Sequence, residues 1–390
     1  MLPLTPVSVL CLTQVISWGT LYYAFSILLG PIAASHGWGL PGITGAFSVC
    51  LLASGLAAYP AGRALQRHGG HIVMAAGSAL AALAFTVVSL APSVPVFYLG
   101  WALAGVAMSA TLYDAAFSTL AALYESGLKR AVTSVTLAGG FASTVFWPLT
   151  ERLSVWVGWR ETLWLYAAIH LALCLPLHYF GLRRPAHAPL PPLAVPPPFP
   201  ITPRFLTLAA AFTCNAIVFS AISVHLVPLL QDHGASPQRA AWLAAAAGPL
   251  QVAGRFVEFT FGARWRSIHT GTVALALLLP ALACLLPAGQ STPLLLTAVG
   301  LYGISNGVMT IVRGVSIAEL FGRDNYAKAS GALAAPITLA RALGPFLASL
   351  LLAYPARYTG VLAALLLIAA LSFALFLIAM RPPTSAASHT

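Results

Sequence analysis

The chain has 390 residues; 59% are hydrophobic, 7% are charged, and the formal net charge is +11. Soluble domains carry about 25% charged residues, so no single water-facing core can absorb this much apolar surface, and lipid has to be the solvent. The charges stand singly or in pairs between apolar stretches, which argues against a nucleic-acid partner and leaves no room for an extramembrane enzyme domain.

A membrane helix needs about 20 apolar residues. Twelve stretches meet that length, at 7–33, 42–66, 71–92, 95–123, 130–150, 160–182, 205–231, 238–263, 269–288, 293–321, 327–354 and 358–380. The first has no basic segment before it and is too long for a secretion signal, so it is expected to stay in place. None alternates with period two, and all exceed the roughly 9–11 residues of a barrel strand. The expected class is an all-α polytopic membrane protein. Residues 183–204 (RRPAHAPLPPLAVPPPFPITPR) are dense in proline, which opposes helix and favours an extended, semi-rigid connector. This divides the chain into a six-helix bundle over 1–182, a cytoplasmic linker over 183–204, a second bundle over 205–381 and a disordered tail over 382–390. A faint echo between halves supports duplication: Gly62-Arg63 ends the second span and Gly254-Arg255 lies in the eighth.

Lysine and arginine in the loops set the orientation. With the N-terminus in the cytoplasm, twelve of them (Arg63, Arg67, Lys129, Arg130, Arg183, Arg184, Arg204, Arg264, Arg266, Arg323, Lys328, Arg381) face inward. Four (Arg152, Arg160, Arg239, Arg357) face outward, so both termini are assigned to the cytoplasm. Glu151-Arg152 and Arg160-Glu161 read as local surface pairs.

Polar side chains inside the spans are the candidate site, because a charge at bilayer depth costs about 2.5–3.5 kcal/mol or more. In span one Gln14, Trp18 and Tyr22 share a helix face, with Tyr23 beside them. Asp114 in span four lies about 16 Å deep; it can carry a proton or pair permanently with an arginine. Span six holds His170 and His178, read as packing residues, and span seven holds Asn215 and His225. Arg255 in span eight lies about 13 Å deep; it is either a ligand group or neutralised by Glu258, one turn on. Span ten contributes Asn306 and Arg313, the latter about 15 Å deep. Arg341 in span eleven is about 20 Å deep, with no acid near it in its own helix, and Gly344-Pro345 after it point to a bent helix. Three deep arginines against one deep acid make a cavity for anions, since guanidinium matches carboxylate in a two-bond fork. The five cysteines (Cys11, Cys50, Cys174, Cys214, Cys284) all lie in apolar stretches without CxxC spacing, so neither a disulfide framework nor a metal site is expected.

The six-plus-six layout, the central linker and the loop after span two resemble the major facilitator superfamily. Its loop signature, Gly-x-x-x-Asp-Arg-x-Gly-x-Arg/Lys, is matched by Gly62, Arg67 and Gly69, with Gln66 in place of the acid and His71 in place of the last base. The resemblance implies the major facilitator fold, N-in and C-in, and a cytoplasmic gate motif at Gly62, Gln66, Arg67 and Gly69. Gln66 can hydrogen-bond but cannot ion-pair, so a charge-based latch is not expected. The glycine-rich span-five signature of drug/proton antiporters is missing; that span reads Gly139-Gly140-Phe141-Ala142-Ser143. The eighth span looks most like the monocarboxylate-porter and oxalate–formate antiporter branches, which implies Arg255 and Arg341 as carboxylate ligands. In monocarboxylate porters an Asp stands four residues earlier, where this chain has Gln251. Spans one, four, seven and ten line the pathway in the superfamily, which gives weight to Gln14, Tyr22, Asn215, Asn306 and Arg313 as substrate ligands. Asp114, Glu258 and His225 are the proton-coupling candidates.

The expected function is secondary active transport of a small organic anion by alternating access. The alternative is efflux of toxic hydrophobic compounds or a metalloid; a sensor without transport leaves the two-half symmetry unexplained. The chain shows no phosphate-cradling Gly-x-x-x-x-Gly-Lys motif and no nucleophile–base cluster, so neither ATP, nor a cofactor, nor enzyme chemistry is expected. The expected partners are a small-molecule substrate and the bilayer. One chain holds both halves, so a monomer suffices, and the alanine-rich, short-loop style fits a bacterial inner membrane.

Overall fold

The computed structural model describes residues 5–124, 128–183, 201–261, 265–321, 326–353 and 357–381, and these contain helices and no strand. Residues 184–200 of the expected linker and the tail 382–390 lie outside the described residues. The first half holds α1 (Pro6–His36), α2 (Leu40–His68), α3 (Gly70–Ser89), α4 (Val94–Leu123), α5 in two parts (Leu128–Gly140 and Ala142–Trp156) and α6 (Trp159–Gly181). The second holds α7 (Pro203–Asp232), α8 in two parts (Pro237–Ala245 and Ala247–Phe261), α9 (Ser267–Leu285), α10 (Thr292–Phe321), α11 (Tyr326–Ala353) and α12 (Arg357–Met380). Among the described residues, 11 of these helices are long and apolar enough to cross a membrane; α8, divided at Ala246, is not one of them.

Local chemistry fixes several helix starts. Thr5, Thr202 and Ser236 each precede a proline, and each hydroxyl accepts the amide three residues on, at 3.3 Å from Ser8, 3.2 Å from Phe205 and 3.3 Å from Arg239. Proline lacks a donor that the first turn does not need, and the hydroxyl takes an amide that helix geometry leaves free. Helix α7 therefore begins at Pro203, inside the stretch expected as linker. Between α2 and α3, Gly69 turns the chain with φ +81°, a left-handed value that glycine adopts without strain.

Packing within each half relies on small residues, as expected where lipid gives no hydrophobic drive between helices. Gly105 of α4 lies directly on the Cys50 carbonyl of α2. A Cβ at Gly303 of α10 would stand 2.6 Å from the Ala247 carbonyl of α8, and Gly307 meets the Gln251 carbonyl. Fourth helix on second and tenth on eighth are the same contact repeated. The Gly-Arg echo in the sequence is not its source: Gly254 packs on Ile304, whereas Gly62 faces open space.

Four apolar clusters show how the halves meet. Near the outer face, the first-half cluster takes in Val224 of α7, and the second-half cluster takes in Ile27 of α1 and Trp147 of α5. The Ser26 hydroxyl donates to the Val224 carbonyl at 2.7 Å across the same junction. Toward the face bearing the termini, the two clusters share no residue. Among the described residues, then, apolar packing between the halves is concentrated toward the outer face, and nearer the centre they meet through Arg255 and Thr136 and through Gly140 and Val252.

At the outer rim Arg160 bonds the Ser89 carbonyl at 3.2 Å and the His36 ring at 3.3 Å, and lies over Trp159. This arginine ties α6 to α3 and α1 and is not simply a partner for Glu161.

Replacing Gly105 by Ala is expected to cost about 1–3 kcal/mol through overpacking against backbone. Gly30→Ala, where a Cβ meets nothing within 4 Å, is expected to be neutral or stabilising. The melting temperatures of the two purified variants, compared with the parent in one detergent, check both.

Candidate functional site

Three departures from regular helix build the centre of the molecule. Residues Gly19–Tyr23 of α1 form a π turn, a geometry that recurs at functional sites. It sits where Gly19 lets the Phe146 ring of α5 press against the α1 backbone. The Trp147 indole donates to the Tyr23 carbonyl at 3.0 Å and so supports the widened turn. A second π turn, His170–Cys174 of α6, packs against the first, with the His170 ring 2.9 Å from the Thr20 hydroxyl. His178 similarly meets the Ser78 hydroxyl at 2.9 Å, and both histidines are buried.

The π turn places Tyr23 as well as Tyr22 beside Trp18, at ring-centroid distances of 6.4 and 5.5 Å. The third departure is a break in α4 at Leu112, where ψ is −165°. Fully buried Gln14 donates its amide to the Thr111 carbonyl at the break. Just beyond it, Tyr113 comes within 5.0 Å of Trp18, and its hydroxyl donates to the Thr136 carbonyl at 3.4 Å, lying over Gly139 of α5. Asp114 follows in the first turn of the new helix segment and is exposed.

From the second half, Arg255 enters beside Tyr113. Its guanidinium donates to the Thr136 carbonyl at 3.3 Å and interacts with the Tyr113 side chain, while its Nε is buried without a hydrogen-bond partner. Gly140 faces Val252 of α8, and a Cβ at Gly248 would meet the Gly140 carbonyl at 3.1 Å, so glycines on both helices bring Arg255 to α5. Glu258 is partly buried and is not among the hydrogen-bonded partners of Arg255. Arg341 is exposed and lies close enough to Tyr22 to act on it electrostatically. Ser223 of α7 lies beside the side chains of both Tyr22 and Tyr302.

On α1, Gln14 Oε1, Ser17 Oγ and Trp18 Nε1 are buried with no hydrogen-bond partner, as are Arg255 Nε on α8 and Asn215 Oδ1 on α7.

The remaining sequence candidates are placed as follows. His225 is buried, with Nε2 at 3.0 Å from the Pro345 carbonyl and 3.1 Å from Ser349, and Nδ1 at 3.2 Å from the Tyr358 hydroxyl. A carbonyl can only accept, so Nε2 donates to Pro345, and the ring joins α7, α11 and α12. Asn306 and Arg313 are partly buried on α10, and Arg313 is not without a partner. Helix α11 runs unbroken through Pro345, and Gly344 serves close packing on Ile217 and Ser220 of α7. Tyr113, Ser223, Tyr302 and the Gly139-Gly140 pair were not among the sequence candidates; a glycine pair within an apolar span was the one visible sign.

A family model described as Major Facilitator Superfamily matches residues 10–257 and 208–390. The chain belongs to the Major Facilitator Superfamily. It is 30% identical over 282 residues to monocarboxylate transporter 13 of Rattus norvegicus, a match covering 67% of this chain and 62% of that protein's length. Solved structures share the fold. The nucleoside transporter NupG matches with a TM-score of 0.73 at 14% identity, over 97% of this chain and 98% of that one. A bacterial homologue of the human lysosomal transporter Spinster, inward-facing and occupied, gives 0.72 at 14%, over 96% of each. The human organic anion transporter MFSD10 gives 0.65 at 18%, over 95% and 98%.

In this member of the superfamily the residues that resemble the loop signature span the α2–α3 turn. Gln66 and Arg67 are exposed, Gly69 makes the turn, and Gly70 packs against Thr119 of α4.

Gln14→Leu would strand the buried Thr111 carbonyl. The expected cost is about 1–3 kcal/mol, seen as a lower melting temperature together with faster hydrogen exchange at residues 112–116.

Proposed function

We propose that this superfamily transporter moves a small organic anion, a carboxylate, and that Arg255 is its principal ligand. The observation that carries this reading is a half-buried guanidinium with a backbone carbonyl and a tyrosine for company, and an Nε that meets no acceptor. A guanidinium held this way has donors to spare for a carboxylate fork. Arg255 belongs to the second half and its carbonyl partner to the first, so the site lies where rocking of the halves would open and close it. Arg341, exposed on α11, is a second proposed cation for the same anion or for its entry. Asp114, next to Tyr113 and exposed, is the proposed proton carrier. Gln14, Tyr22, Asn215, Asn306 and Arg313 remain proposed lining residues, and Glu258 and His225 secondary coupling candidates. The 183–204 segment is the proposed tether between halves, with the protein acting as a monomer in a bacterial inner membrane.

Efflux of a hydrophobic compound or metalloid draws instead on the aromatic side chains and membrane cysteines. Thermal stabilisation of the purified protein by mono- and dicarboxylates, with arsenite alongside, separates the two. Arg255→Gln is expected to weaken the carboxylate by about tenfold to a hundredfold, the worth of one charge-assisted hydrogen bond, and Arg255→Lys by less. Stabilisation by arsenite or an uncharged hydrophobic compound, equal in parent and Arg255→Gln, would transfer the assignment to efflux.

A further inference from the structure

Resting on the reading that Arg255 holds a carboxylate, the rings beside it carry the assignment one step further. Trp18, Tyr22, Tyr23 and Tyr113 form one continuous wall. Successive centroids lie 5.0 Å apart from Tyr113 to Trp18, 5.5 Å from Trp18 to Tyr22 and 5.2 Å from Tyr22 to Tyr23. Tyr302 lies close to Tyr22 and Tyr23 from the other half of the molecule.

This wall differs from the aromatic core next to it. Phe25, Phe47 and Trp101, in the same half, are 0%, 0% and 1% exposed and are spent on packing one another. All four rings of the wall keep partial exposure. They belong to the segment carrying the π turn and to the residue after the α4 break, so the two backbone irregularities of the first half both deliver rings to the same surface. Trp18 also presents an indole N–H that has no acceptor.

Arg255 interacts with the Tyr113 side chain at one end of the wall and is within electrostatic reach of Tyr23 at the other, and Arg341 is within electrostatic reach of Tyr22. A carboxylate seated on Arg255 would have these rings beside its body. Aromatic rings gain from offset and edge contacts with other rings beyond the gain from burying apolar area; a saturated body of equal size collects only the area term.

We propose that the transporter selects carboxylates with a planar aromatic body, the carboxylate on Arg255 and the ring against the Trp18–Tyr22–Tyr113 wall. Benzoate and cyclohexanecarboxylate have the same carbon skeleton and charge and differ in planarity. Titration calorimetry of the full-length protein in detergent, with this pair and with adenosine as a neutral aromatic probe, tests the proposal. Benzoate is expected to bind about two- to tenfold more tightly than cyclohexanecarboxylate. Trp18→Leu should erase that preference while both acids still bind in an Arg255-dependent way, and Trp18→Phe should keep it. Tyr22→Leu serves as a second wall variant should Trp18→Leu fail to fold as a single species. Equal affinity for the two acids in the parent, with binding lost in Arg255→Gln, overturns the aromatic selectivity and leaves the carboxylate reading standing. Binding of adenosine but of neither acid, or of neither acid at any concentration up to the millimolar range, overturns the carboxylate reading itself.

Discussion

Lipid offers the main chain no hydrogen bonds, so every irregular stretch of backbone must find its partners inside the protein. The centre of this molecule is organised by that constraint. The α4 break leaves the Thr111 carbonyl, and Gln14 of α1 supplies the donor. The widened turn of α1 is met by the Trp147 indole at the Tyr23 carbonyl and by His170 at Thr20. In the second half, the Thr144 hydroxyl of α5 donates to the Ala245 carbonyl at the division of α8. These departures from ideal helix occur where another helix offers a polar side chain, and Gln14, a candidate substrate ligand in the sequence, also serves as a partner of backbone.

What those irregularities achieve is the placement of rings and one cation. An unbroken α1 would turn Tyr23 away from the face shared by Trp18 and Tyr22, since adjacent residues on a regular helix point in different directions. Helix α5 completes the arrangement by having almost no side chain where it is needed. Gly139 leaves room for the Tyr113 hydroxyl, and Gly140 for the approach of α8. Arg255 then arrives at a carbonyl of the opposite half, and the group that carries the charge spans the boundary between bundles. A ligand seated there would touch both bundles at once, which is the requirement for coupling its binding to their movement.

The sequence by itself determined the solvent and the helical class, and its count of twelve spans is met roughly: eleven among the described residues are long and apolar enough to cross, and the eighth is divided at Ala246. Twelve apolar stretches, their lengths and the loop arginines are one-dimensional quantities, and hydropathy reads them directly. It also located Arg255, Arg341 and Asp114, because a charge within an apolar run is conspicuous wherever it points. Tertiary structure alone decided which of these groups share a surface and which partners they take. Glu258 stands one turn from Arg255, but the hydrogen-bond partners that the arginine takes, Thr136 and Tyr113, are far away in the chain. His225 is conspicuous in the sequence, but its partners, the Pro345 carbonyl and the Ser349 and Tyr358 hydroxyls, come from α11 and α12 and could not be read there. Tyr113 and the Gly139-Gly140 pair carry no charge to announce them, and their meaning comes from the close crossing of α4, α5 and α8. Periodicity records which way a side chain leaves its own helix; it holds no information about a π turn or a break, whose stability comes from hydrogen bonds donated by other helices.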